Sequence, residues 1–269
     1  DLLNIALSGL RAFRSSLNTA GHNIANVNTP GYSRQRVDLA AQQPMYMGGS
    51  FLGSGVATVE VSRVYDQFLT GRVRELTATQ AQEAALHGLA SQIDGMLGDS
   101  AAGIAPALAD FFSALQDLAA DPAAIPARQV VLGNAAALAD RFGSLGAQLE
   151  SLAGIADNQL GSAVDSANHL ATQIADLNRE ILISQGTSGD ANDLLDRRDE
   201  IVRQLAQYAN VSVSEPGDGT LSVFLGNGQP LVVGTSVQQL SLVRDRFDPQ
   251  RWQIGLVTSG GPVDVTRQL

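Results

Sequence analysis

Between residues 126 and 183, apolar side chains recur at Leu138, Phe142, Leu145, Leu149, Leu152, Ala156, Leu160, Ala163, Ala167, Leu170, Ile174, Leu177 and Ile181. Steps of four and three place them on one side of an α-helix, as in a coiled-coil seam. One extra step of four, Ala156 to Leu160, is a stutter that locally unwinds a supercoil. At 1.5 Å per residue such a helix is roughly 85 Å long. This length predicts a structural rod rather than a catalytic scaffold.

Other segments repeat the theme less strongly. Residues 2–27 carry a seam at Leu3, Leu7, Leu10, Leu17 and Ile24, interrupted at Arg14 and Gly21. A lone helix with so little apolar surface is marginal in water. It is expected to become ordered only among copies of itself and related subunits. Thr29 precedes Pro30, which pushes it out of the helical region, so the helix ends by about Asn28.

Residues 33–60 read as an extended or irregular connection, although VATVEVSRV (56–64) alternates like a strand. Helical spacing resumes near Tyr65 and passes through Phe68, Leu76, Leu86, Ile93 and Leu97. Further helices fall at about 104–119 and 192–209. After Asn210 the period changes to two, with PGDG and GNG as turns. The fold class is therefore mainly α with a β-rich part: a long coiled-coil-like bundle or rod plus a small β domain. Four parts are expected: an assembly helix and turn (1–32), a connection (33–60), a helical bundle (61–210) and an incomplete β-rich outer domain (211–269).

Composition excludes several function classes. The net charge is −10, and the 17 basic residues are all Arg, never clustered beyond pairs such as Arg34/Arg36 and Arg197/Arg198. Phosphate recognition needs a concentrated cationic surface, so neither nucleic acid nor anionic membrane is an expected partner. Cysteine is absent, which removes disulfides and thiolate metal sites. No apolar run approaches the ~18 residues of a membrane span. The beginning of the chain lacks a basic region followed by an apolar run, so a cleaved secretory signal is not expected.

Candidate chemistry is sparse. His22, His87 and His169 are isolated; only Asp165, four residues before His169, offers a companion, and no zinc spacing results. No catalytic, cofactor-binding or metal residues are assigned, and the chain is not expected to be an enzyme. The charged run DANDLLDRRDE (190–200) reads as a solvated helix start capped by Asp190 or Asn192, in preference to a carboxylate metal site. Phe224, Phe247 and Trp252 read as core. Asn23 and Asn26 stand at i and i+3, where their amides suit hydrogen bonding across a helix bundle and ending the helix. Tyr32 adds an apolar body with a polar tip.

The stretch SGLRAFRSSLNTAGHNIANVNTPGYSRQ (8–35) resembles the N-terminal signature of the bacterial flagellar axial proteins, the family of rod, hook and hook-associated subunits. The matching positions are Asn23, Ile24, Ala25, Asn26, Thr29, Gly31 and Tyr32. Three further segments, 53–74, 110–142 and 192–213, resemble the hook-associated protein 1 branch of that family. The resemblance implies a structural protein at the junction of hook and filament. It implies self-assembly as a homo-oligomer in a ring or helical zone, with the hook protein and hook-associated protein 3 as neighbours. It also implies passage through the flagellar export apparatus to an extracellular place on the flagellum. Leu3, Leu7, Leu10, Leu17, Asn23, Ile24, Asn26, Thr29, Gly31 and Tyr32 are the implied assembly residues. The family's C-terminal helical segment has no counterpart after residue 210, so the chain is expected to be incomplete. A reading of another class is a coiled-coil adhesin or binding module with a small β ligand domain.

Overall fold

The computed structural model describes residues 2–47, 49–98, 103–186, 191–226, 228–258 and 260–266. The chain divides into two compact units, 1–79 with 165–269, and 80–164. This division differs from the four parts read off the sequence. The smaller unit is one continuous stretch inside the expected bundle, while the larger is assembled from two separate stretches, the bundle's two ends among them.

The larger unit begins with α1 (Leu2–Asn26). The connection expected at 33–60 is instead regular: β1 (Gln35–Ala41) pairs antiparallel with β4 (Val56–Arg63), and β2 (Met45–Met47) and β3 (Ser50–Leu52) form a smaller hairpin between them. The β1–β4 ribbon packs against α1. The helix therefore has a partner within its own chain, contrary to the expectation that only neighbouring copies could order it.

The face α1 turns to the ribbon is not the Leu seam. Ala12 is its buried residue, and Ile5, Ser8, Ser15, Ser16 and Thr19 are half-buried. Small side chains at these spacings allow close approach. Ser8 Oγ donates to the Ile5 carbonyl (2.7 Å) and accepts the Val56 N–H (3.2 Å). Gly55 sits opposite at φ +98°, where an added Cβ would lie 2.2 Å from Ser8 Oγ. Only glycine satisfies both conditions there.

The rest of this unit holds most of the core. α4 (Ile125–Gly186) contributes the buried stripe Ala167, Leu170, Ala171, Ile174, Ala175, Leu177 and Ile181. α5 (Asn192–Leu205) adds Ile201, Val202 and Leu205. The β-rich part contains a four-stranded meander, β5 (Val211–Ser214), β6 (Ser222–Leu225), β7 (Gln229–Val233) and β8 (Ser236–Val237). A second antiparallel sheet has the order β11-β10-β9, from β9 (Leu240–Arg244), β10 (Trp252–Thr258) and β11 (Gly261–Asp264).

Two α4 asparagines bind this region. Asn178 is fully buried; its amide donates to the Leu221 and Gly234 carbonyls, and its oxygen accepts the Leu221 N–H. Asn168 likewise donates to the Leu240 carbonyl (2.9 Å) and accepts its N–H (2.7 Å). Each side chain thus satisfies backbone groups that would otherwise be costly to bury.

The smaller unit comprises α2 (Gln67–Gly98) from residue 80, α3 (Ile104–Ala120) and α4 to residue 164. Asn134 of α4 donates to the Asp110 carbonyl of α3 (3.0 Å). Its buried apolar residues among those described are Ala114, Leu152 and Val164. Phe142 and Leu149 of the predicted seam are exposed. A three-helix unit encloses only a narrow stripe, so large seam residues are left at its margin.

Among the described residues, no helix is long and apolar enough to cross a membrane. The expectation that Phe224, Phe247 and Trp252 are core holds poorly. Phe247 is 93% exposed in the turn before β10, and Phe224 and Trp252 are half-buried. Trp252 lies under the Arg244 guanidinium, 3.6 Å from the ring centre.

Candidate assembly joint

The segment after α1 is built from side chains that fold back on the backbone. Asn26 Nδ2 donates to the His22 carbonyl (3.1 Å), while the Asn26 carbonyl accepts the Thr29 N–H (2.9 Å). Thr29 Oγ1 donates to Asn26 Oδ1 (3.3 Å), and the Thr29 carbonyl accepts the Tyr32 N–H (3.2 Å). Pro30 has no N–H to place, and Gly31 takes φ +78°. These contacts end the helix and reverse the chain.

Asn23 then fixes where the chain goes. Its amide donates to the Gln35 carbonyl (2.9 Å), and its Oδ1 accepts both the Gln35 N–H (2.8 Å) and the Tyr32 hydroxyl (2.7 Å). The sequence reading gave Asn23 and Asn26 two roles, hydrogen bonding across a helix bundle and ending the helix; the observed contacts belong to the second. The His22 and Tyr32 rings meet edge-on with centroids 5.5 Å apart.

α5 forms the far wall. His22 Nε2 lies 3.1 Å from Asp193 Oδ1, which also accepts from Gln35 Nε2 (2.8 Å). Asp196 Oδ2 accepts the Ser33 N–H (2.8 Å), and its Oδ1 accepts from Arg63 Nη1 of β4 (2.8 Å). The same Arg63 nitrogen reaches Asp199 Oδ2 (2.9 Å). Burial disfavours the Arg63 charge, but the hydrogen bonds and negative charges of Asp196 and Asp199 outweigh it and raise its pKa.

Among the described residues of the charged run, Asp193 and Arg197 are exposed but the others do not form the solvated face expected. Asp196, Arg198 and Asp199 are buried, and the N-cap residue of α5 is Ala191, with no side-chain cap. Asn192 donates instead to the Val61 carbonyl. Asp190, the other expected cap, lies outside the described residues. Arg198 donates to Asn178 Oδ1 (3.1 Å) and the Gly219 carbonyl (2.8 Å), and burial lowers its pKa. No cluster of metal-ligating residues occurs among the described residues.

Of the ten residues singled out by sequence, Asn23, Asn26, Thr29, Gly31 and Tyr32 come together in this joint. Leu3, Leu7, Leu10, Leu17 and Ile24 do not; they lie along α1, exposed, Leu3 by 83% and Leu17 by 74%. Sequence reasoning missed Arg63, Asp196, Asp199 and Gln35. Their partners lie far along the chain, and Arg63 stands alone in an alternating strand without a local signal.

Tyr32 provides a pH test. Burial, then the charges of Asp193 and Asp196, raise its pKa above the ordinary 10.0. The folded state thus prefers the protonated phenol. Its contribution is complete below pH 10 and fades as pH rises through the folded pKa. Tyr32→Phe is expected to cost about 1 kcal/mol at pH 7 by losing the bond to Asn23. It should also flatten the decline in stability above pH 10. Urea unfolding at pH 7 and pH 10.5 checks both; an unchanged alkaline slope contradicts the assignment.

Residues 90–269 match the profile of the family described as the flagellar hook-associated protein FlgK helical domain. The chain belongs to the FlgK family. Residues 3–32, α1 and its joint, match a second profile, the flagella basal body rod protein. The chain is 34% identical to flagellar hook-associated protein 1 of Escherichia coli K12 over 272 residues, covering 100% of this chain and 50% of the relative. It is 27% identical to the Bacillus subtilis 168 protein of that name over 253 residues, covering 90% of this chain and 50% of the relative. The FlgK-family chain thus spans about half the length of these relatives. A solved structure, the flagellar hook junction protein FlgK from Burkholderia pseudomallei, superposes with a TM-score of 0.64 at 34% identity. That match covers 72% of this chain and 34% of the other. The mainly α fold with small antiparallel sheets agrees with this likeness. Nothing in the comparisons favours the adhesin reading.

Proposed function

We propose that this FlgK-family chain is part of a non-catalytic structural subunit of the bacterial flagellum that joins hook to filament by self-assembly. The observation that carries the reading is the division of labour on α1. Its small-residue face is occupied by the β1–β4 ribbon, while Leu3, Leu7, Leu10, Leu17 and Ile24 remain exposed on a second face. Leu2, Phe13 and Val27 are exposed as well. An exposed apolar stripe of this length, even broken at Arg14 and Gly21, is a feature of interaction surfaces. The stripe lies in the segment that matches the rod-protein profile.

In this reading the stripe packs among copies of the chain and related axial subunits. Asn23, Asn26, Thr29, Gly31 and Tyr32 set the angle between the assembled helix and the rest of the unit. The neighbours are the hook protein and hook-associated protein 3. The subunit lies outside the cell, on the flagellum, after passing the flagellar export apparatus.

The double variant Leu10→Asp, Leu17→Asp tests it. Both side chains are exposed, so unfolding free energy should change by no more than about 1 kcal/mol, about 0.5 kcal/mol for each substitution. In cells whose own copy is deleted, the full-length protein carrying this pair should fail to restore swimming. Restored swimming would overturn the proposal.

A further inference from the structure

We propose that a cleft between the first turns of α2 and the outer side of α5 binds a carboxamide, the Asn or Gln side chain of a second copy of this chain. The second-copy assignment rests on the assembly reading above. The cleft measures about 190 Å³ and is lined by Ser33, Tyr65, Thr70, Arg74, Asp199 and Arg203, among others. Arg74 is 6% exposed and Asp199 9% exposed. Among the described residues, Arg74 Nη1 and Asp199 Oδ1 are buried with no hydrogen-bond partner. The other Asp199 oxygen is held by Arg63, and Arg203 is held by Glu200. A third such atom, Arg198 Nε, belongs to a residue that does not line the cleft, so among the lining residues one donor and one acceptor remain.

Charge selects the occupant. An ionised carboxylate would satisfy Arg74 but set a like charge against Asp199. An ammonium would satisfy Asp199 but oppose Arg74. A carboxamide is neutral and carries both functions: its oxygen accepts from Arg74 and its N–H donates to Asp199. The chain uses this chemistry on itself, since Asn23, Asn168 and Asn178 each donate to and accept from backbone groups. A second copy is the source favoured by position. Gly31, Tyr32 and Ser33 of the joint form one wall of the cleft, immediately beyond the exposed stripe of α1.

The test uses acetamide, acetate and ethylammonium, similar in size and different in charge. Each is titrated into the chain at constant ionic strength while the backbone amide resonances of Ser33 and Thr70 are followed. Acetamide should give saturable shifts in the wild type and none in Arg74→Leu; the two charged probes should give none. Arg74→Leu should also keep or raise the melting temperature, because an apolar replacement removes a buried guanidinium nitrogen that has no hydrogen-bond partner among the described residues. No saturable response to acetamide, a stronger response to acetate, or a fall in melting temperature in Arg74→Leu would each overturn the amide site. Sedimentation then decides the source. Self-association should weaken about tenfold in Arg74→Leu, equivalent to about 1.4 kcal/mol. Equal association of the two chains would overturn the second-copy assignment. Absence of association in the wild type would overturn the assembly reading and that assignment together, leaving the acetamide result to decide the amide site alone.

Discussion

Replacing Gly31 by Val should remove about 3 kcal/mol or more from the stability of the larger unit. Two independent effects add. The backbone stands at φ +78°, which costs a β-branched residue about 1–3 kcal/mol. The new Cβ would also lie 2.7 Å from Glu200 Cβ, inside any normal contact. Glu200 cannot simply swing aside, because its carboxylate accepts from Arg203 Nε (2.8 Å) and Gln204 Nε2 (3.0 Å). The Arg203 hydrogen bond is also the main cause of its lowered pKa. Because the clash begins at Cβ, Gly31→Ala should retain most of the loss. Hydrogen exchange resolved by segment should show α5 and β1 losing protection while residues 80–164 keep theirs. A neutral Gly31→Ala variant would contradict the close approach.

Arg63→Met should cost about 3–5 kcal/mol at neutral pH, the usual result of removing one partner from a buried ion cluster. Arg63 bonds Asp196 and Asp199 at 2.8 and 2.9 Å, with all three side chains at most 10% exposed. Without the guanidinium, two neighbouring carboxylates lose their cation in a poorly solvated site. Urea unfolding of the variant and the wild type at pH 7 measures the deficit. A loss below about 1 kcal/mol would contradict the buried ion cluster.

What was legible in the sequence was what repeats locally. The four-and-three spacing from Leu138 to Ile181 marks α4, and the Thr-Pro-Gly-Tyr run marks the end of α1. The period-two pattern after Asn210 marks the meander. Burial was harder to read. The Leu seam of α1 points away from its own ribbon, and the docking face is written in Ser and Ala, which carry no hydrophobic signal. The DRRDE run shows the opposite error. Its Asp196 and Asp199 are buried because Arg63, more than a hundred residues earlier, arrives from β4 to meet them. No local rule specifies that encounter. Asn23 was noticed for the right property, an amide that both gives and takes hydrogen bonds, but its partner Gln35 depends on how the chain turns at Gly31.

The three asparagine clamps share one geometric habit. Gln35 opens β1, Leu240 opens β9, and Leu221 immediately precedes β6. Helical side chains therefore dictate the residue at which each of these strands begins. A slip by one position would forfeit both bonds of a clamp and turn every following side chain to the opposite face. Since a carboxamide does not titrate and is little screened by ions, this alignment should persist in acid or concentrated salt.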